Sequence, residues 1–273
     1  YSSTLLLQNK LNNTELALLH AINNSKGNPL DNTYVNLATL YKKLNDVDKA
    51  EHMLKKALKT NYSYPYKFLI FDSVLGKIAP ISLTYFELGK PEIAENMLIS
   101  VISQKSKYSR EEIITAKELL ASIYMIQEKN SLSENLLLEN TKQLENSTSE
   151  KQDSLIFRGC SYQSLGFLYK KLNKTTSSVE NLRNAARIDI YNDATQYNTA
   201  YACFEIGDYT CSIEYVDKAI ALSHNPEWIG FKEIKGYSLI MLNRLEKAEE
   251  YFSGMGFLGY SGLGHIAIIR KDF

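Results

Sequence analysis

Between residues 36 and 58 the chain reads NLATLYKKLNDVDKAEHMLKKAL, and its apolar positions fall into two groups. Leu37, Leu40, Tyr41 and Leu44 recur three and four apart, which places them on one face of a helix. After a polar break at Asn45 and Asp46, Ala50, Leu54, Ala57 and Leu58 form a second such stripe. The pattern predicts a helix, a tight turn and an antiparallel helix. Residues 164 to 186, SLGFLYKKLNKTTSSVENLRNAA, carry the same two stripes around an identical word, for LYKKLN stands at 40 to 45 and again at 168 to 173.

One order of positions then fits along much of the chain: a large residue beside a small one, an aromatic three further on, a turn residue four beyond that, and a small residue in the second helix. It is met by Leu37, Ala38, Tyr41, Asn45 and Ala50, and by Ile81, Ser82, Tyr85, Gly89 and Ala94. Leu120, Ala121, Tyr124 and Ser133 follow it, as do Leu165, Gly166, Tyr169, Asn173 and Ser178. Thr199, Ala200, Gly207 and Ser212 keep it without the aromatic, and Gly236, Leu239, Asn243 and Ala248 keep a shortened form.

This order resembles the tetratricopeptide repeat, a helix-turn-helix unit of about 34 residues. The resemblance implies an all-α fold, an α-α superhelix (solenoid) of tandem units. It lays out 1–273 as one array: a partial unit 1–30, units at about 31–64, 75–108, 114–147, 159–192, 193–226 and 229–256, and a partial unit 257–273. Small residues let paired helices approach and large ones fill the gap to the next pair, so no unit buries its apolar face alone. In the first partial unit Leu5 to Asn9 reads as the end of one helix and Thr14 to Ile22 as a second; LGHIAIIRKDF at 263 to 273 reads as the opening of a further unit.

The separation of the two LYKKLN copies is not a whole number of such units, because extra residues intervene at 62–74, 109–113 and 144–154. The first insertion, YSYPYKFLIFDSV, is aromatic and apolar and is expected to extend a helix starting near Pro65. Pro80 is expected to kink its helix or mark a break.

Charge narrows the partners. Lys+Arg and Asp+Glu both total 31, so the formal net charge is zero and no field draws the whole chain onto nucleic acid or anionic lipid. No apolar run approaches the roughly 20 residues of a spanning helix. Tyr1 opens without a basic or apolar leader, so any targeting segment is expected outside these residues. The compartment and the oligomeric state stay open.

Candidate chemistry is sparse. Cys160, Cys203 and Cys211 match neither a redox pair nor a zinc site by spacing and are expected as buried thiols. Gly254, Gly256 and Gly259 have the spacing of a dinucleotide-binding turn, but that turn needs a strand before it, and AEEYF reads as helix, so an inter-repeat turn is expected instead. His20, His52, His224 and His265 stand far apart with no metal-ligand spacing. The expectation is a non-catalytic chain with no cofactor and no metal.

The resemblance implies a groove lined by the first helix of each unit, in which such arrays hold a protein or peptide segment. On it the lining residues are Gln163, Ser164, Phe167, Tyr197, Asn198, Tyr201, Glu233 and Tyr237, an aromatic ladder flanked by amides that suits an extended peptide. Packing between neighbouring first helices is the competing reading of those aromatics. Asn36 suits the clamp by which some members grip an acidic carboxyl terminus, but Ala79 and Pro80 break it in the next unit. Lys42, Lys43, Lys170 and Lys171 recur on first helices and either favour an acidic partner or simply face solvent. A non-catalytic binding scaffold is the leading reading; the effector-sensing part of a transcription regulator, or the recruiting arm of a larger enzyme, stays open.

Overall fold

The computed structural model describes residues 2–25, 31–59, 75–76, 78–145 and 152–270. Its helices are α1 (Ser2–Asn24), α2 (Asp31–Lys43), α3 (Val47–Lys59), α4 (Ile78–Glu87), α5 (Pro91–Ser103), α6 (Arg110–Ile126) and α7 (Asn130–Glu145). Then come α8 (Gln152–Lys171), α9 (Thr175–Ile188), α10 (Asp193–Glu205), α11 (Tyr209–Leu222), α12 (Ile229–Met241), α13 (Leu245–Ser253), a 3-10 turn (Gly256–Gly259) and α14 (Tyr260–Arg270). No strand occurs among the described residues. The chain forms two compact units, Tyr1–Ser133 and Glu134–Phe273.

Six helix-turn-helix junctions share one backbone solution. Asn45, Gly89, Glu128, Asn173, Gly207 and Asn243 all take a left-handed φ, between 55° and 80°. The residue after each sends its N–H back across the turn: Asp46 to the Tyr41 carbonyl (2.9 Å), Lys90 to Tyr85 (3.0 Å), Lys129 to Tyr124 (2.9 Å), Lys174 to Tyr169 (2.8 Å), Asp208 to Cys203 (2.9 Å) and Arg244 to Leu239 (2.9 Å). This closure satisfies carbonyls that a helix end leaves without partners. Glycine and asparagine tolerate the left-handed region, so the turn residues of the sequence pattern are there for their backbone.

The small positions lie at the helix crossings. Ala50, Ala94, Ser133, Ser178, Ser212 and Ala248 are at most 2% exposed. Two of the three hydroxyls are used, Ser178 donating to the Gly166 carbonyl (2.8 Å) and Ser212 accepting from Ser238 (3.1 Å), while that of Ser133 is buried without a hydrogen-bond partner among the described residues. One close crossing holds the ring of Phe252. A Cβ at Gly236 of α12 would come within 2.3 Å of that ring, and one at Gly262 of α14 within 2.4 Å. Glycine on both sides is what lets two helix backbones close over a phenyl group.

Successive hairpins are also tied by charge. Lys90 pairs with Glu51, Lys129 with Glu95 (2.9 Å) and Lys174 with Glu134 (3.6 Å), each lysine following a turn and each glutamate lying on the second helix of the hairpin before. Lys42 pairs with Glu87, and Lys170 with Glu205 (3.0 Å), across neighbouring first helices. These two members of the repeated lysine pairs are therefore bound within the protein.

Four expectations are corrected or refined. α1 is one unbroken helix, not two, since the stretch between Asn9 and Thr14 holds no glycine or proline and Thr14 bonds back to the Lys10 carbonyl (2.8 Å). Pro80 lies in the first turn of α4, where its missing N–H has no intrahelical partner to lose, so it follows a break and makes no kink. Cys203 and Cys211 are buried but bonded to each other, because the Gly207 turn brings their Cα atoms to 5.8 Å. The residues at 109–113 lengthen a first helix: Ser109 caps α6, accepting from the Glu112 N–H while the Glu112 carboxylate accepts from the Ser109 N–H. The helix expected near Pro65 lies outside the described residues.

Candidate functional site

In the second unit α8, α10 and α12 are the first helices of successive hairpins. α10 is held rigidly at its start: Asn192 caps it by accepting from the Thr195 N–H (3.1 Å), and the buried Gln196 amide donates to the Ala186 and Asp189 carbonyls (3.0 and 3.2 Å). Thr199 donates to the Leu182 carbonyl (3.0 Å) one turn on. With that face turned to α9, Tyr197 and Tyr201, four apart, are presented on another face of the helix.

The two tyrosines have different surroundings. Tyr201 is 38% exposed, with the Lys170 ammonium 4.2 Å from its ring centroid. Tyr197 is half-buried against Trp228 (4.8 Å between centroids, 69° between planes) and Phe231 (5.6 Å, 72°), and those two rings meet each other at 5.0 Å and 86°. Burial pushes the Tyr197 hydroxyl above the ordinary tyrosine range, helped by Tyr201 and the Glu233 carboxylate. The three rings, with Asp193, Ser223 and Asn225, line a cleft of about 280 Å³. A larger cleft of about 760 Å³ lies between α11, α12 and α13, where lysines meet acids in pairs such as Lys235–Asp217 (2.7 Å).

Comparison with known proteins bears on this geometry. The tetratricopeptide-repeat family model matches residues 31–64. Among solved structures, the chain resembles Pseudomonas aeruginosa PilF with a TM-score of 0.54 at 13% identity, over 86% of this chain and 96% of that one. It resembles the C-terminal part of a TPR repeat-containing protein from Cytophaga hutchinsonii with a TM-score of 0.55 at 13% identity, over 96% and 98%. A signal-transduction ATPase of Pyrococcus horikoshii with a tetratricopeptide sensor matches with a TM-score of 0.60 at 15% identity, over 94% of this chain and 41% of that one. No curated protein matches the sequence. The chain has the tetratricopeptide-repeat fold.

Within that tetratricopeptide frame the eight sequence-expected residues divide. Gln163, Ser164 and Phe167 lie on α8, Tyr197, Asn198 and Tyr201 on α10, and Glu233 and Tyr237 on α12. Phe167 and Tyr201 are exposed, and Gln163 and Asn198 are half-buried with side chains that make no hydrogen bond among the described residues. Tyr237 is engaged elsewhere: its ring packs edge-on against Phe252 (5.4 Å) and His265 (5.6 Å), and its hydroxyl hydrogen-bonds Ser261 on α14 (3.0 Å). There the packing reading of the aromatic ladder holds.

Trp228, Phe231 and Asp193 were not among the expected site residues, and Lys170 was expected only as one of the repeated lysines that favour an acidic partner or face solvent. The signal for Trp228 was available, since it is the sole tryptophan and stands just after Pro226 at a junction between tetratricopeptide units. Its N-cap position swings the indole back over Gly230, where an added Cβ would lie 2.5 Å from the ring.

Proposed function

We propose that this chain is a non-catalytic binding module that holds an extended protein or peptide segment along α8, α10 and α12 of its second unit. The observation that supports it is the exposed aromatic surface of adjoining first helices, Phe167 at 41% and Tyr201 at 38%, with Trp228 at 41% at the N-cap of the next, beside side-chain amides that are not used internally. Rigid rings give apolar contact at little entropic cost, and side-chain amides match the backbone donors and acceptors of an extended chain. Tetratricopeptide arrays are interaction scaffolds, and this fold supports reading the ladder as a contact surface.

The test is to select peptides from a random display library on the whole chain and compare their affinity for a Phe167→Ala/Tyr201→Ala variant. Both side chains are exposed, so helicity and melting should change little while affinity falls about tenfold or more, in line with loss of two aromatic contacts. Peptides that bind the variant as tightly as the parent would refute the groove.

A further inference from the structure

We propose that the cleft of Tyr197, Trp228 and Phe231, rimmed by Asp193, takes the ammonium group of a lysine side chain carried by the bound segment. This rests on the groove reading above for its setting, and on the geometry of the cleft for its chemistry.

Three observations lead to a cation. First, three aromatic rings, packed at 69°, 72° and 86° to one another, line the one cleft. Ring faces carry the negative part of the aromatic quadrupole and attract a cation within about 6 Å of the centroid. Second, the charge around the cleft is negative. Asp193 makes no ion pair among the described residues, and Glu233 is near enough to act on the Tyr197 hydroxyl. Lys232, next to Phe231 in the chain, is paired with Glu227.

Third, the size is that of a side chain. At about 280 Å³ the cleft falls just below the range of roughly 300–1,000 Å³ typical of small-molecule sites, so it suits one long residue. Phe231, 4% exposed, is the floor, and Trp228, 41% exposed, is a wall that a ligand can cover. The protein makes the same contact internally one helical turn away, where Lys170 sits over Tyr201. Tyr197 lacks such a lysine among the described residues.

Trp228 is the only tryptophan, so its emission reports on the cleft directly. The whole chain is titrated at constant ionic strength with N-acetyl-lysine methylamide and with the norleucine analogue, which keeps the alkyl chain and lacks the charge. The expected result is a saturable change with the lysine probe at roughly fivefold or more higher affinity than with norleucine. Asp193→Asn and Tyr197→Leu should each reduce that preference, and Gly230→Ala, which displaces the indole, should abolish the response. Equal affinity for the two probes makes the cleft a plain apolar pocket and overturns the proposal, as does the absence of any saturable response. Loss of peptide binding in Phe167→Ala/Tyr201→Ala bears on the groove alone, so the two readings fail separately.

Discussion

Replacing Gly236 by alanine sets two measurable effects against each other. The new Cβ would stand 2.3, 2.7 and 2.8 Å from three carbons of the Phe252 ring, against the roughly 3.5–4.0 Å of favourable carbon contact. The ring has little room to retreat, because it is also packed against Gly262 of α14, where a Cβ would come within 2.4 Å of it, and Phe252 is 1% exposed. Overpacking of this kind costs about 1–3 kcal/mol. Alanine within a helix gains about 0.8–1.0 kcal/mol over glycine. The net is a destabilisation of about 1 kcal/mol. With Phe252→Leu the opposing ring is gone, so the same Gly236→Ala change should stabilise by up to about 1 kcal/mol. Urea unfolding of the four proteins, followed by helical circular dichroism and compared by midpoint at unchanged slope, yields the coupling directly. If Gly236→Ala stabilises equally in both backgrounds, the ring is not clamped and the packing argument fails.

Two further outcomes follow from the turns and the tyrosines. Glu128 alone among the six turn residues is neither glycine nor asparagine, and its exposed side chain makes no bond that would offset a φ of 62°; Glu128→Gly should raise stability by about 0.5–1 kcal/mol in the same urea assay, and a loss would refute the strain. Burial, with hydrogen bonds to Glu15, Glu145 and Glu134, pushes the hydroxyls of Tyr41, Tyr162 and Tyr169 up from 10.0 to about 12. Between those values the unfolded chain has lost protons that the folded one keeps, so stability is full below pH 10 and falls as pH rises towards 12; thermal melts combined with tyrosinate absorbance check this, and a flat melting temperature across that window would refute it.

The sequence showed the hairpins because their signals are local. A left-handed turn favours glycine or asparagine and a crossing needs a small residue; both recur at readable spacing around Tyr41, Tyr85 and Tyr169, while around Tyr124 only the small residue, Ser133, does and Glu128 makes the turn. What stayed hidden depends on how elements meet. Tyr237 carries the same groove-facing pattern as Tyr201, yet α14 lies over it. Lys42 and Lys170 read as a repeated basic surface until their acidic partners, Glu87 and Glu205, appear on the next first helix. The bond between Cys203 and Cys211 follows from a hairpin geometry that cysteine spacing alone does not state. The cleft wall at Trp228 comes from a junction residue, outside any periodic position.

The lysine–glutamate ties between hairpins have a thermodynamic meaning of their own. Each joins a hairpin only to its immediate neighbour, so in a chain of repeats they enter the nearest-neighbour term and leave the intrinsic stability of a hairpin untouched. Single exposed pairs are weak, about 0–1 kcal/mol, and are screened by salt. Ionic strength therefore acts on cooperativity: at high salt each compact unit should unfold over a broader range as its hairpins begin to melt one by one.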